Sequence, residues 1–487
     1  MALALAARPD GQPTGPRDAR HGKLLLDELA LHHRRTRPAR PLRRRHPQDH
    51  RRQRAARRAG RLPERSDRQS QRKSGRAMLN PKIEKARQAA LDVLKPSAKD
   101  LEHGLALHGE SLVIESYGLP PRAAPDADAL NALVEAGASP GEVSAEMTDM
   151  ILTRMVTDAR QRAEYAEAWE AAGVTCMLTM AGQECQSPLR LLHCLAHMTF
   201  AADTSGVVER APRPEDILAA HRDGRRCFYM TANGVPLTQR WESVEEELTY
   251  IRVFFELGVR MMHLTYQRRN MIGDGAGEPS NGGLSDFGRA VVAEMNRVGV
   301  IVDVAHSGWQ TALEAARASE KPMVASHTSC AALFPHVRAK PDEVIRAICD
   351  TGGYIGIYAV PGFLGGSDDL AAMLDHIDYA VKTFGADHVA IGMDCCATAS
   401  DYHTELRKIA SPKSRRGWRS LWQAGPTGSA PSHDLPGNAG CQWTNWPYIT
   451  VGLVQRGHSD DDIRKIIGGN VLRVARAVFP SDRIVKA

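Results

Sequence analysis

The sequence predicts an α/β protein built as a (β/α)8, TIM-type barrel, on two observations. From residue 111 onward, short apolar runs alternate with stretches whose apolar residues recur at three- and four-residue spacing. The runs number eight, and no GxGxxG follows the first, which weighs against a doubly wound open sheet. Strands alternating with helices imply right-handed crossovers and a parallel sheet, and eight such units suggest a closed barrel.

The expected strands are SLVIESYG (111–118), GVTCMLTMA (173–181), RCFYMTANG (226–234), GVRMMHLTY (258–266), VGVIVDVAH (298–306), KPMVASHTS (321–329), GGYIGIYAV (352–360) and DHVAIGMD (387–394). Between them, SVEEELTYIRVFFEL, FGRAVVAEMNRV, WQTALEAARAS, KPDEVIRAICD and DLAAMLDHIDYAVKTF carry the helical period. Upstream, MLNPKIEKARQAALDVLKP reads as a helix. The expected organisation is a disordered Arg-rich extension over 1–77, a helical segment over 78–110, and the barrel over 111–487.

Charge separates these parts. Residues 1–77 hold 22 of the 63 Lys and Arg and 7 of the 57 Asp and Glu, which leaves 41 basic and 50 acidic residues for the rest. The net charge of +6 therefore hides an acidic body behind a basic tail. The tail lacks apolar periodicity and cannot bury enough surface to fold alone. An arginine-rich arm suits nucleic acid or a membrane surface. The plainer reading is translated upstream sequence before a start at Met78, so a nucleic-acid partner is not expected. MALALAARPDG has too short an apolar core for a secretory signal. No apolar run is long enough to span a bilayer. Nine cysteines without a CxxC pair point to reduced thiols in a cytoplasmic protein and away from a disulfide scaffold or a structural zinc site.

Two neighbouring strands finish on histidine: His306 in VIVDVAHSG and His327 in PMVASHTS. Asp394 ends the eighth. Barrel active sites lie at the C-terminal strand ends, so these three side chains would share one mouth. Each alone has a bland reading, a satisfied strand-end histidine or a turn-forming aspartate. Together, two imidazoles and a carboxylate suffice for one catalytic divalent ion with a position left open for water. Arg338, on the loop after the sixth strand, would hold a substrate carboxylate bidentately, or be a surface arginine. The segment 397–440 is long for a barrel connection; Trp418 and Trp422 within it would cap the mouth or pack the loop.

The run GLSDFGRAVVAEMNRVGVIVDVAHSGWQTALEAARASEKPMVASHTS, then HVRAKPDEVIRAICDTGGYIGI, VAIGMD and the closing GLVQRGHSDDDIRKIIGGNVLRVARAVF resemble the membrane (renal) dipeptidase family. Those are zinc-dependent peptidases on an amidohydrolase-like barrel, and the likeness extends over about residues 105–480. By this resemblance His306 and His327 match two histidines that bind one zinc. Asp394 matches the aspartate that binds the other zinc and handles the proton. Arg338 matches the arginine that grips the dipeptide carboxylate. A homodimer is implied in the same way.

Four positions depart. The first-strand His-x-Asp pair is Tyr117 and Leu119, the bridging glutamate is Asn233, the strand-four histidine is Tyr266, and the asparagine after the clamp arginine is Ala339. Asn233 offers only a neutral oxygen, so one ion is expected in place of two, held by His306, His327 and Asp394. Glu115, Cys395 and Cys396 are weaker ligand candidates, more simply a paired strand residue and small buried hydrophobes. The pattern TY-x-x-x-N-x-x-GDG in TYQRRNMIGDG resembles a branch of the family that also carries this tyrosine and asparagine. Coordinated change of this kind suggests an altered pocket. The expected function is hydrolysis of a small dipeptide or related amide by metal-activated water, with Asp394 as base, Tyr266 as oxyanion donor, and Arg338, Asn233 and Tyr266 binding substrate. The alternative is a barrel without that chemistry that binds a small carboxylate-bearing ligand.

Overall fold

The computed structural model describes residues 80–181, 187–410 and 440–480. The expected extension over 1–77 and the tryptophans at 418 and 422 lie outside them.

The strands are β1 (Ile114–Gly118), β2 (Cys176–Met180), β3 (Glu209–Arg210), β4 (Cys227–Ala232), β5 (Val259–His263), β6 (Ile301–Asp303), β7 (Val324–Thr328), β8 (Tyr354–Ile357) and β9 (Val389–Ile391). Eight form one parallel path, β1-β2-β4-β5-β6-β7-β8-β9, and the two-residue β3 adds to β4. Each of the eight falls inside one expected run. The path is drawn closed beyond β9: Asp394 N–H donates to Tyr117 O at 3.1 Å and Leu119 N–H to Cys395 O at 3.0 Å.

Helices α1 (Pro81–Leu94) and α2 (Ala98–Glu110) form the expected N-terminal segment. Between β1 and β2 stand α3 (Ala127–Glu135), α4 (Pro140–Thr157) and α5 (Ala159–Ala172), three helices where a minimal unit has one. Then come α6 (Pro188–Thr204), α7 (Pro214–Arg222), α8 (Val244–Glu256), α9 (Asp286–Val298), α10 (Trp309–Ala318), α11 (Asp342–Asp350), α12 (Leu370–Phe384), α13 (Tyr402–Lys408), α14 (Trp446–Gln455), α15 (Asp460–Arg464) and α16 (Asn470–Val478). Local chemistry sets their ends. In α4 a capping box between Ser139 and Glu142 satisfies the N–H groups of both residues, on either side of Pro140. Helix α9 is capped by Ser285 and buries Val291, Val292, Met295 and Val298. It stops where Gly299 takes φ +99°, a left-handed conformation that glycine adopts without a Cβ penalty.

Strand alternation builds two apolar clusters. Met177, Phe228, Met262, Val302, Ile355 and Ile391 join the large cluster shared with the helices. Leu178, Tyr229, Met261, Ile301, Tyr354 and Ala390 join a second, onto which α16 lays Val471, Val474 and Val478. Two residues further along the same faces, the chain turns polar: His263 follows Met261, Asp303 follows Ile301 and Ser326 follows Val324. The neighbouring strands stay small there. A Cβ on Gly356 would stand 2.0 Å from the Ser326 carbonyl oxygen, and one on Gly392 would stand 2.1 Å from it. Gly356→Ala is therefore expected to lower stability by about 1–3 kcal/mol or more through overpacking, read as a shift of the urea midpoint.

Candidate active site at the barrel mouth

Asp303 anchors the mouth. Its Oδ1 accepts from Ala305 N–H at 2.9 Å and Ser326 N–H at 3.1 Å. Its Oδ2 accepts from the Ser326 hydroxyl and stands 2.7 Å from His263 Nε2. Burial alone would raise this carboxyl; the facing His263 and the Ser326 donors outweigh it and hold Asp303 below the usual carboxylate range. An ionised Asp303 thus staples the β6 and β7 ends together and fixes the turn that carries His306.

The TY-x-x-x-N-x-x-GDG stretch clasps the same turn. Asn270 donates to Leu264 O at 2.9 Å and accepts from Ile272 N–H at 2.8 Å, closing its loop. Thr265 donates to Ser307 Oγ at 2.9 Å, and Ala276 N–H to His306 O at 2.8 Å. A Cβ on Gly275 would meet Tyr266 O at 2.3 Å, so the close approach requires glycine. The pattern is explained as scaffolding that aims Tyr266 and His306.

His306 lies three residues beyond β6, in a turn, and His327 lies within β7. Their Nε2 atoms are 2.8 Å apart. Ser326 Oγ sits 2.9 Å from His327 Nδ1. Burial, reinforced by the Arg338 guanidinium, pushes both imidazoles well below their ordinary range, so both are neutral at pH 7. One Nε2 then donates and the other accepts. Tyr117 stacks on His327 with ring centroids 4.0 Å apart, and Tyr266 on His306 at 4.2 Å.

Tyr117 also donates to Asn233 Oδ1 at 2.7 Å. Two of the substituted positions are thus bonded to each other, and Leu119 brings no donor. This set does not fit the two zincs that the resemblance implies, because the first ion would have no His-x-Asp pair and no bridging carboxylate. The facing neutral imidazoles of His306 and His327 are of the ligand type for one ion, although their Nε2 atoms, 2.8 Å apart, would have to part to about 3.3 Å to share it.

Arg338 is 1% exposed. It donates from Nη1 to Ala305 O and from Nη2 to His327 O at 3.5 Å, and Nη2 lies 3.4 Å from His306 Nε2. Its Nε has no hydrogen-bond partner among the described residues. Among the described residues its partners are carbonyls and an imidazole, none a carboxylate. Nearby, buried Lys340 donates to Ser307 O at 2.6 Å. Asp394 follows β9 in the left-handed region at φ +56°, which Asp tolerates better than most residues. Burial raises its carboxyl to about 6 against the opposing pull of Arg338, His263 and Arg122. It borders a cavity of about 650 Å³ also lined by Arg122, Tyr165, Cys396 and Trp443.

The structure therefore brings His306, His327, Tyr266 and Arg338 together, with Asn233 linked to them through Tyr117. Asp394 stands apart in one respect. His306, His327 and Asp394 are not among the described trios whose ligand atoms all lie within 4.8 Å of one another; His263, Asp303 and His327 are. The oxygens of Asp303 are already engaged by Ala305, Ser326 and His263, which makes that trio a poor cage. His263 and Asp303 escape the sequence reading, although charged residues at alternate positions of otherwise apolar strands signal them. Glu115 forms no ion pair with an imidazole among the described residues: Trp443 Nε1 donates to its Oε2 at 2.6 Å, and burial raises its carboxyl well above normal.

A parallel barrel whose mouth gathers His306, His327, Tyr266 and Arg338 at the C-terminal strand ends has the layout of a barrel enzyme's active site. Residues 151–411 match the family model for membrane dipeptidase, peptidase family M19, and the chain belongs to that family. It is 29% identical to dipeptidase tcpJ of Claviceps purpurea over 276 residues, 56% of this chain and 55% of that protein. It is 32% identical to dipeptidase aclJ of Aspergillus oryzae over 230 residues, 46% of each. The chain thus spans about half the length of the curated relatives it matches. An amidohydrolase structure from Pseudomonas aeruginosa superposes with a TM-score of 0.57 at 25% identity, covering 77% of this chain and 99% of that one. A Rhodobacter sphaeroides metallopeptidase liganded with a phosphinate mimic of L-Ala-D-Ala shares the fold, with a TM-score of 0.52 at 17% identity over 76% of this chain and 100% of that one.

Proposed function

We propose that the protein is a metal-dependent hydrolase of small dipeptides or related amides, working from a mononuclear site. The observation that carries this reading is Arg338. A buried guanidinium that no carboxylate of the described residues contacts directly is costly unless an anion completes it. The fork suits a planar carboxylate, as at a dipeptide C-terminus.

His306 and His327 supply two neutral imidazoles for one divalent ion, zinc by family, and Asp394 a carboxylate. Such an ion supplies acidified water and a polarised carbonyl. Arg338 orients the substrate through its carboxylate. Asp394 accepts the proton released from water. Tyr266, stacked on His306, donates to the carbonyl oxygen as it gains charge. Asn233, engaged by Tyr117, forms a neutral wall of the substrate pocket where the family pattern has a bridging anion.

A second reading has its own support. The His306–His327 contact and the Tyr117–Asn233 bond are complete without an ion, as in a barrel that binds a carboxylate-bearing molecule without hydrolysing it. Elemental analysis separates the two. The hydrolase reading expects about one equivalent of zinc or another divalent ion at this site, removed by His306→Ala/His327→Ala. If the purified protein takes up no such ion even on reconstitution, the hydrolase reading fails and ligand screening replaces substrate screening.

We also propose a cytoplasmic homodimer. Cys176, Cys227, Cys330 and Cys441 are buried free thiols, as in a reducing compartment, and no described helix is long and apolar enough to cross a membrane. Sedimentation velocity tests the dimer.

A further inference from the structure

We propose a second, separate divalent-cation site on the outer helical layer, formed by Asp149 of α4 with His193 and His197 of α6. It uses no residue of the barrel mouth and does not depend on the function proposed for it.

The spacing is the first support. His193 and His197 are four residues apart on one helix, which brings both imidazoles to one flank. The opposite flank of α6 buries Leu191, Cys194, Leu195 and Met198, so the imidazoles are free to meet α4.

The geometry is the second. His197 Nε2 lies 3.0 Å from Asp149 Oδ1, His193 Nε2 lies 3.6 Å from the same oxygen, and the two Nε2 atoms are 3.2 Å apart. Ligand atoms held about 2.0–2.1 Å from a tetrahedral ion stand about 3.3 Å from one another. The three edges bracket that value. An ion at that distance from all three atoms would sit about 0.6–0.9 Å off their plane, against about 0.7 Å in a regular tetrahedron.

Hydrogen bonding alone accounts poorly for the same triangle. Each Nε2 carries at most one proton, and only one of the three atoms is a carboxylate oxygen. A cation satisfies all three at once. The donor set of two imidazoles and one carboxylate selects a borderline ion of the zinc class. The fourth position faces solvent, since the His193 side chain is 56% exposed. Bound there, the ion would tie α4, part of the insertion between β1 and β2, to α6.

The contrast with His263, Asp303 and His327 favours this trio. There the carboxylate already has its full set of donors, whereas Asp149 Oδ1 is shared between two rings.

The test uses the full chain carrying His306→Ala/His327→Ala, so that the mouth pair no longer binds, and Co(II) as the probe. One equivalent of Co(II) should bind with the visible absorption of a low-coordinate site. Adding His193→Gln/His197→Gln should remove that equivalent, and Asp149→Asn should weaken uptake at least tenfold. Zinc should raise the unfolding temperature of the first protein and leave that of the His193→Gln/His197→Gln protein unmoved. These side chains are at least partly exposed, so the substitutions leave the fold intact, which circular dichroism checks. Unchanged Co(II) stoichiometry and spectrum after His193→Gln/His197→Gln, or no uptake before it, would overturn the proposal.

Discussion

Arg338→Met is expected to cut kcat/KM for dipeptides about 30-fold or more. Truncating one partner of a buried, charge-assisted contact typically costs about 2–5 kcal/mol, much of it from leaving the other charge unpaired. Arg338→Lys should recover little, because a point charge cannot reproduce the planar fork. Dipeptides whose C-terminal carboxylate is capped as an amide provide the control. They should be handled poorly by the native protein and no worse by Arg338→Met, since they bring no anion to the site. Stability should move differently. In the unliganded protein the guanidinium is buried against carbonyls and an imidazole, so its removal should cost little and can even stabilise. A kcat/KM unchanged in Arg338→Met, with the capped and uncapped peptides equally affected, would dismiss Arg338 as the carboxylate clamp. It would also remove the main support for a dipeptide-like substrate.

The parts legible in the sequence are those that repeat. Each barrel strand is a short apolar run ahead of a helical pattern, and eight runs in register with eight strands leave few other topologies. His306 and His327 were legible because they close such runs. His263 and Asp303 were not, because the apolar runs continue past them to Tyr266 and His306, so the true ends of β5 and β6 lie inside the runs, where only the alternation of faces reveals an inward polar side chain. The partner of Glu115 is Trp443, distant in sequence and brought near only by the fold. Asp149 is similar. The spacing of His193 and His197 is local, but the carboxylate between them comes from another helix. The departures at Tyr117, Asn233 and Tyr266 were visible as substitutions. Their meaning was not, since only the structure shows Tyr117 bonded to Asn233 and stacked on His327.

Asp394→Asn should separate activity from stability. As the group that accepts the proton from water, Asp394 is expected to contribute a factor of about 10²–10⁴ in rate, and the amide cannot replace it. Stability should change in the opposite sense. Burial raises the Asp394 carboxyl to about 6 in the folded protein, above about 3.9 for an exposed aspartate. Between those values the folded state binds the extra proton, so stability falls as pH rises. The contribution of the protonated form is fully present below about pH 4 and lost as pH passes through 6. With a chelator present, Asp394→Asn should therefore unfold at a higher temperature than the native protein at pH 7–8, and the gap should close towards pH 4. A half-buried carboxylate kept ionised at a cost to the fold is the signature expected of a functional group. Were the variant inactive but destabilised at every pH, Asp394 would be a structural turn residue.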